Sequence, residues 1–91
     1  MIFSVYVIEN PKGKIYIGHT ESLAARLQRH NGVLPTGSGS YTNKNGGPWS
    51  LIHEEKFDTR IEAMKREREL KSSRGREFLK QFRKHRRNIR P

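Results

Sequence analysis

The stretch IFSVYVIENPKGKIYIG, residues 2–18, decides the fold of this chain. β-Branched and aromatic residues fill Ile2–Ile8 with hardly a polar break, which is typical of a strand covered on both faces. We expect this strand at the centre of its sheet. Asn10-Pro11-Lys12-Gly13 suits a type I turn, and a second strand follows over Lys14–Gly18. The stretch therefore predicts an antiparallel hairpin.

The length of the hairpin loop determines which side chains share a face of the sheet. If Pro11-Lys12-Gly13 forms a three-residue loop with a left-handed glycine, Tyr6 opposes Gly18. Tyr16 then opposes Ile8, on the same face as Tyr6. Gly18 leaves space beside the Tyr6 hydroxyl in this register. A loop of two or four residues would instead separate the two tyrosines onto opposite faces.

A short helix after the hairpin carries two polar side chains on its inner side. Thr20 or Ser22 can cap this helix, which runs to about Asn31. At about 100° per residue, Arg26 and His30 lie in the same arc as the leucines of the helix. We therefore expect both side chains to point toward the tyrosines.

The remaining elements are a third strand and two helices. Residues 32–48 are rich in glycine and predict a long exposed loop, and Trp49–Phe57 predicts the third strand. Thr59–Glu62 fits a capping box that opens a helix ending near Lys71. Ser73 is expected to cap a final short helix. The side chains of this last segment that we expect to pack inward are Phe78, Leu79 and Phe82.

One carboxylate falls on the apolar side of the second helix. The apolar arc is made by Ile61, Ala63, Met64 and Leu70. Glu67 lies inside this arc, where an ionised acid is costly to bury unless a cation or donor compensates it. Glu67 is therefore a candidate functional residue, and a structural ion pair with Arg26 is the alternative.

Composition favours one small basic domain. The chain has 91 residues, 32% of them hydrophobic, and a formal net charge of +10. About +8 of that charge lies in residues 71–91, which indicates nucleic acid as the partner. The basic tail lacks the apolar face of a membrane-surface helix. We expect a domain over residues 1–82, a basic tail over 83–91 and, because cysteine is absent, a cytoplasmic location.

The candidate site residues suit phosphodiester hydrolysis. A carboxylate can hold Mg²⁺, which also binds the phosphate, and the guanidinium of Arg26 can stabilise charge on the phosphorus oxygens. A phenol with a reference pKa of about 10 is a poor base unless a cation lowers its pKa. A metal-bound water is the alternative proton carrier. His30 could hydrogen-bond either a phenol or the scissile phosphate.

These residues resemble the GIY-YIG nuclease domain family, which is named for its two strand motifs. The first motif reads Ser4-Val5-Tyr6, with serine in place of glycine, and the second reads Tyr16-Ile17-Gly18. Arg26 follows ten residues after the second tyrosine, and His30 four residues later. Residues 62–71 resemble the metal-binding helix of the family. The chain looks most like the compact, standalone bacterial members.

The resemblance implies an α/β (α+β) fold with a central three-stranded antiparallel sheet flanked by helices. It also implies a DNA endonuclease that depends on Mg²⁺ or Mn²⁺, with Glu67 as the metal ligand. The implied catalytic residues are Tyr6, Tyr16, Arg26, His30 and Glu67. We expect little sequence specificity and a preference for branched or damaged DNA, with RNA a weaker candidate.

Further residues are expected to contact nucleic acid. They are His19, Tyr41, Lys44, Lys71, Arg74, Arg83, Lys84, Arg86 and Arg87. Dense like charges repel one another unless a polyanion or counterions neutralise them. The alternative to a nuclease is a non-catalytic DNA- or RNA-binding module that keeps the fold for its basic surface.

Overall fold

The computed structural model describes residues 1–32 and 46–83. In this part of the chain the fold is α+β, with three strands, three α-helices and one short 3-10 helix. In chain order the elements are β1 (Phe3–Glu9), β2 (Ile15–Thr20), α1 (Leu23–His30), β3 (Ser50–Phe57), α2 (Arg60–Leu70), α3 (Ser73–Leu79) and the 3-10 helix Lys80–Phe82. None of the helices in these two ranges is long and apolar enough to cross a membrane.

The sheet is antiparallel and has the order β2-β1-β3. All seven residues of β1 are buried, which confirms that this strand is central and covered on both faces. Phe3, Val5 and Val7 face the hydrophobic core formed with α2 and α3. Tyr6 and Ile8 face the opposite side, where they pack with Trp49, Tyr16 and the leucines of α1. The side-chain alternation of one strand thus separates two apolar clusters.

The hairpin loop has the predicted length and register. Gly13 has a φ of 85°, and the amide of Asn10 donates to the carbonyl of Lys14 at 3.0 Å. The side chain of Asn10 accepts from the amides of Lys12 and Lys14 at 3.1 and 2.9 Å. Tyr6 pairs with Gly18, and Ile8 pairs with Tyr16. Both tyrosines therefore lie on the same face of the sheet.

Several predicted boundaries and caps are wrong in detail. β2 continues through His19 to Thr20, because both residues pair with β1. Ser22, one of the two predicted caps, is the N-cap residue of α1, but its side chain makes no capping hydrogen bond. Its amide instead donates to the Thr20 hydroxyl at 3.1 Å. The cap of α3 is Ser72 rather than Ser73, and its hydroxyl accepts from the Gly75 amide at 3.2 Å.

The predicted apolar arc of α2 is only partly packed. Ala63 and Leu70 are buried, seven residues apart on one narrow stripe. Ile61 is 78% exposed and Met64 42% exposed, so the prediction is wrong for these two residues. Such a small sheet covers little of the helix, and a modest domain leaves apolar side chains at its surface. Glu67 consequently lies at the border of the packed stripe and not within it.

Aromatic packing holds the C-terminal helices against β3, and a separate polar network joins β3 to α2. Phe82 stacks on the ring of His53 with centroids 4.7 Å apart. Phe78 packs edge-on to the same ring but is 38% exposed, so the expectation that it packs fully inward is wrong. The Glu55 carboxylate accepts two hydrogen bonds from Arg66, at 2.8 and 3.0 Å, and a third contact from His53 at 2.7 Å.

Candidate active site

Two tyrosines and a histidine meet on the face of the sheet covered by α1. The hydroxyl oxygen of Tyr6 lies 2.8 Å from Nε2 of His30, within hydrogen-bond distance. The rings of Tyr6 and Tyr16 have centroids 6.2 Å apart, and the Tyr16 ring lies 4.8 Å from the His30 ring. The side chain of Tyr6 is fully buried, whereas Tyr16 and His30 are partly exposed. Only one of the two phenols therefore reaches the surface.

Gly18 makes room for this cluster. A Cβ atom at Gly18 would lie 2.8 Å from the Tyr6 hydroxyl oxygen and 3.1 Å from Cε2 of Tyr16. Carbon atoms in ordinary contact are about 3.5–4.0 Å apart. The glycine is thus required by close approach of two side chains, as the register of the hairpin predicts.

Burial and neighbouring charges set the protonation states of Tyr6 and His30. Burial raises the pKa of the Tyr6 phenol, and the nearby Tyr16 raises it further. The Arg26 guanidinium, by its charge and a hydrogen bond to the phenol, opposes this rise without cancelling it. Burial, followed by the charge of Arg26, lowers the pKa of His30 below its ordinary 6.5. At neutral pH the phenol is therefore protonated and the imidazole is neutral.

The carboxylate of Glu67 comes from α2, and among the described residues it contacts His19 and Lys71 rather than the tyrosines or His30. Its charge acts on Tyr6 and raises the pKa of the phenol slightly. One Glu67 oxygen lies 2.5 Å from Nδ1 of His19, and the other lies 2.6 Å from Nζ of Lys71. Burial acts to raise the pKa of Glu67, but these two partners outweigh it and the pKa is lowered. Glu67 is therefore ionised at neutral pH.

His19 connects β2 to the start of α2. Its Nδ1 faces Glu67, and its Nε2 lies 3.5 Å from a guanidinium nitrogen of Arg60. Arg60 is itself oriented by Glu21 at 2.8 Å. Since a guanidinium only donates hydrogen bonds, this arrangement favours the tautomer in which His19 carries its proton on Nδ1 and donates it to Glu67.

The family model described as the GIY-YIG catalytic domain matches residues 2–87. The chain belongs to the GIY-YIG family. This is a nuclease family, which implies that its members bind nucleic acid.

Similar proteins are small members of the same kind. A UPF0213 protein of Staphylococcus saprophyticus is 34% identical over 68 residues, which are 75% of this chain and 78% of the relative. A UPF0213 protein of Staphylococcus aureus strain N315 matches to the same extent. The solution NMR structure of a UPF0213 protein from Bacillus halodurans has a TM-score of 0.51 and 30% identity, and the match covers 87% of this chain and 82% of that protein.

GIY-YIG nucleases generally use divalent metals. In the described residues no group of three His, Cys, Asp or Glu side chains forms a metal cluster. Mg²⁺ does not need such a cluster, because it keeps several waters and is commonly bound by one or two carboxylates together with substrate phosphates. Glu67 is ionised and borders a cavity of about 300 Å³. Arg68 and Lys71 also line this cavity, so Glu67 is the carboxylate that would hold a hydrated divalent cation once Lys71 leaves it.

The other side chains of this GIY-YIG chain that were predicted to contact nucleic acid lie in different surroundings. Lys71 pairs with Glu67, and Arg74 is exposed on α3. Arg83 lies 3.5 Å from the buried carboxylate of Glu9 and donates to the Gly13 carbonyl, so it holds the 3-10 helix to the hairpin turn. The predicted contacts outside the described residues are Tyr41, Lys44, Lys84, Arg86 and Arg87.

Sequence reasoning missed two features of the site. The contact between His19 and Glu67 joins residues 48 positions apart, and no local spacing signals it. Lys14, Arg76 and Lys80 were also not singled out, although the structure brings them together near Tyr16. The alternation of β2 places His19 on the same side as Ile15 and Ile17, toward α2, and this signal could have linked it to Glu67.

Proposed function

We propose that this chain is a divalent-metal-dependent DNA endonuclease that hydrolyses phosphodiester bonds. The observation that carries the proposal is that one buried phenol, Tyr6, is coupled to every other candidate group. Its hydroxyl lies 2.8 Å from Nε2 of His30, and its pKa is raised by burial, by Tyr16 and by Glu67 and lowered by Arg26. Membership of a nuclease family supports the reaction class.

Arg26 is proposed to bind the scissile phosphate. It lies on the partly exposed side of α1, next to the phenols. A guanidinium presents a planar fork of donors that matches two phosphate oxygens. These hydrogen bonds strengthen as negative charge builds on the phosphorus oxygens in the transition state.

The proton of the attacking water is proposed to pass to His30. The imidazole is neutral at neutral pH and is partly exposed, whereas the Tyr6 phenol is buried and stays protonated. A neutral imidazole is a better base than a phenol of raised pKa. In this arrangement Nε2–H of His30 would donate to the Tyr6 oxygen through their 2.8 Å contact, which orients the imidazole and assigns Nδ1 to accept the proton of the water. The partly exposed phenol of Tyr16 is the one that can contact the substrate.

Glu67 is proposed to hold the metal. A divalent cation bound there would supply positive charge to the phosphate and favour the developing anion. His19 and Lys71 keep the carboxylate ionised and fixed, and Lys71 is the partner that is more than half exposed. We expect Lys71 to leave the carboxylate when a cation binds and to turn toward the phosphate.

The substrate is proposed to be recognised by shape. The candidate contacts are cationic side chains that bind phosphates, and such contacts carry no sequence information. A structure-directed nuclease acting on branched or damaged DNA fits this surface better than a sequence-specific one.

A second candidate function is a non-catalytic nucleic-acid-binding module. Both oxygens of Glu67 contact protein side chains, one His19 and the other Lys71, and Tyr6 is closed off from solvent. These two observations describe an inactive arrangement if no metal displaces Lys71.

A cleavage assay separates the two functions. End-labelled duplex, flap, junction and single-stranded DNA would be incubated with Mg²⁺ and with Mn²⁺. We expect wild type to cut at least one branched substrate, and Glu67→Gln to lose activity by about 10²-fold or more. Glu69→Gln is the matched control, because Glu69 lies on the same helix but is exposed and pairs with Arg66. Equal activity of the two variants would refute the metal role, and binding without cleavage of every substrate would favour the second function.

A further inference from the structure

A basic groove runs along the open edge of β2. It has a volume of about 810 Å³ and is lined by residues 13–17 of the hairpin, by Lys71 just after α2, by Arg76 of α3 and by residues that follow α3. Its five cationic side chains are Lys14, Lys71, Arg76, Lys80 and Arg83. Tyr16 also lines the groove, so the groove begins at the candidate active site.

Protection of an edge strand explains only part of this charge. β2 is at the end of the sheet, and lysines on an edge strand discourage pairing with another chain. That explanation applies to Lys14, which precedes β2. It does not apply to Arg76 and Lys80, which come from the C-terminal helices. The hairpin, α3 and the 3-10 helix therefore each contribute a cation to one groove.

Two cations of the groove form no ion pair with an acidic group of the described residues. Lys71 pairs with Glu67, Lys80 pairs with Glu77 and Arg83 pairs with Glu9. Across residues 1–32 and 46–83, Lys14 and Arg76 form no ion pair. Cations gathered without counterions are stabilised by a polyanion.

Two residues join the groove to the candidate catalytic groups. Tyr16 contacts His30 by its ring and lines the groove as well. Lys71 holds the Glu67 carboxylate at one side and borders the groove at the other. A single strand of nucleic acid that places a phosphate near Glu67 and Tyr16 can therefore continue directly into the groove.

We propose that this groove binds the phosphodiester backbone adjacent to the scissile phosphate, with Lys14 and Arg76 each contacting a phosphate. The inference rests on the proposed function in taking nucleic acid as the ligand, and it specifies where the uncut part of the strand lies. It assigns binding to residues of the folded domain and not to the basic tail alone.

The test measures binding without cleavage. A fluorescein-labelled DNA duplex would be titrated with protein in Ca²⁺ buffer at several salt concentrations, and the slope of log K against log salt determined for each variant. The groove variant is Lys14→Gln/Arg76→Gln. The matched control is Lys56→Gln/Lys65→Gln, because Lys56 and Lys65 are also exposed and form no ion pair in the described part of the chain.

We expect the groove variant to reduce the steepness of the salt slope by about 1.8, since each phosphate contact contributes about 0.9 on duplex DNA. The control should leave the slope within about 0.5 of wild type. The charge-preserving variant Lys14→Arg/Arg76→Lys should retain the wild-type slope. An unchanged slope in the groove variant, or an equal reduction in groove and control variants, would overturn the proposal.

The result is independent of the nuclease activity. If wild type cuts DNA while the groove variant binds with the wild-type slope, the groove assignment fails and the proposed function stands. If the groove variant loses the expected slope while wild type cuts no substrate, the nuclease proposal fails and the groove remains a nucleic-acid site.

Discussion

Replacing Gly18 with alanine should separate the Tyr6 hydroxyl from His30. The new Cβ would lie 2.8 Å from the hydroxyl oxygen and 3.0 Å from Cζ of Tyr6. Gly18 is not among the glycines with positive φ, so alanine fits the local backbone. The effect of Gly18→Ala therefore measures the side-chain contact and not backbone strain.

The size of the effect follows from these distances. An ordinary contact begins at 3.4 Å, so the phenol must withdraw by about 0.6 Å. The 2.8 Å contact with His30 would then exceed the usual hydrogen-bond range of about 3.2 Å. Overpacking and the lost hydrogen bond together should cost about 2–4 kcal/mol of unfolding free energy. This loss corresponds to a decrease in melting temperature of about 10–25 °C for a domain of this size.

A double-mutant cycle identifies the atom responsible. Tyr6→Phe removes the hydroxyl oxygen, which is the closest atom to the new Cβ, but keeps the ring. Gly18→Ala should therefore cost at least about 1 kcal/mol less in the Tyr6→Phe background than in wild type, as measured by urea denaturation. Additive costs within about 0.5 kcal/mol would refute the reasoning. Cleavage by Gly18→Ala, assayed below its melting temperature, should fall about 10- to 100-fold.

Three further predictions follow from the site and the β3–α2 network. Arg26→Lys keeps the positive charge but loses the planar fork, so kcat should fall about 10²-fold with intact folding by circular dichroism; wild-type kcat would contradict the phosphate role. The acid limb of the kcat/KM profile should have an inflection below pH 6.5, because burial and Arg26 lower the pKa of His30 and keep it neutral; an inflection above 6.5 would exclude it as the base. Glu55→Gln should cost about 1–2 kcal/mol at pH 7 by weakening its hydrogen bonds to Arg66 and His53. The folded pKa of Glu55 is lowered from 4.5, so its stabilisation is present above pH 4.5 and is lost as the pH falls through the folded pKa. The difference between wild type and Glu55→Gln in denaturation experiments should therefore shrink at acidic pH, and a constant difference would contradict the ionic role.

The hairpin was predictable because its determinants are local. A three-residue loop with a left-handed Gly13 fixes the register, and the two-residue side-chain period then places Tyr6, Tyr16 and Gly18 together. The helical period likewise placed His30 on the inner side of α1, where it contacts Tyr6. These relations need no knowledge of distant packing.

The surroundings of Glu67 were not predictable in the same way. The apolar pattern of α2 does not say which of its residues the small sheet covers, and Ile61 and Met64 remain exposed. Its partner His19 comes from a strand far away in sequence. The sequence predicted that this strand ends at Gly18, whereas it continues to Thr20. Side chains brought together by three elements, such as those of the basic groove, become visible only when the elements are assembled.

β1 has a consequence for how this protein can be altered. Phe3, Val5 and Val7 point to the helix-covered core, while Tyr6 and Ile8 point to the face that carries the candidate chemistry. Both sides of the strand are buried, so substitutions on either side should lower stability. Substitutions of Tyr6 should in addition disturb the contact with His30, whereas those of Phe3 and Val7 should leave that contact in place.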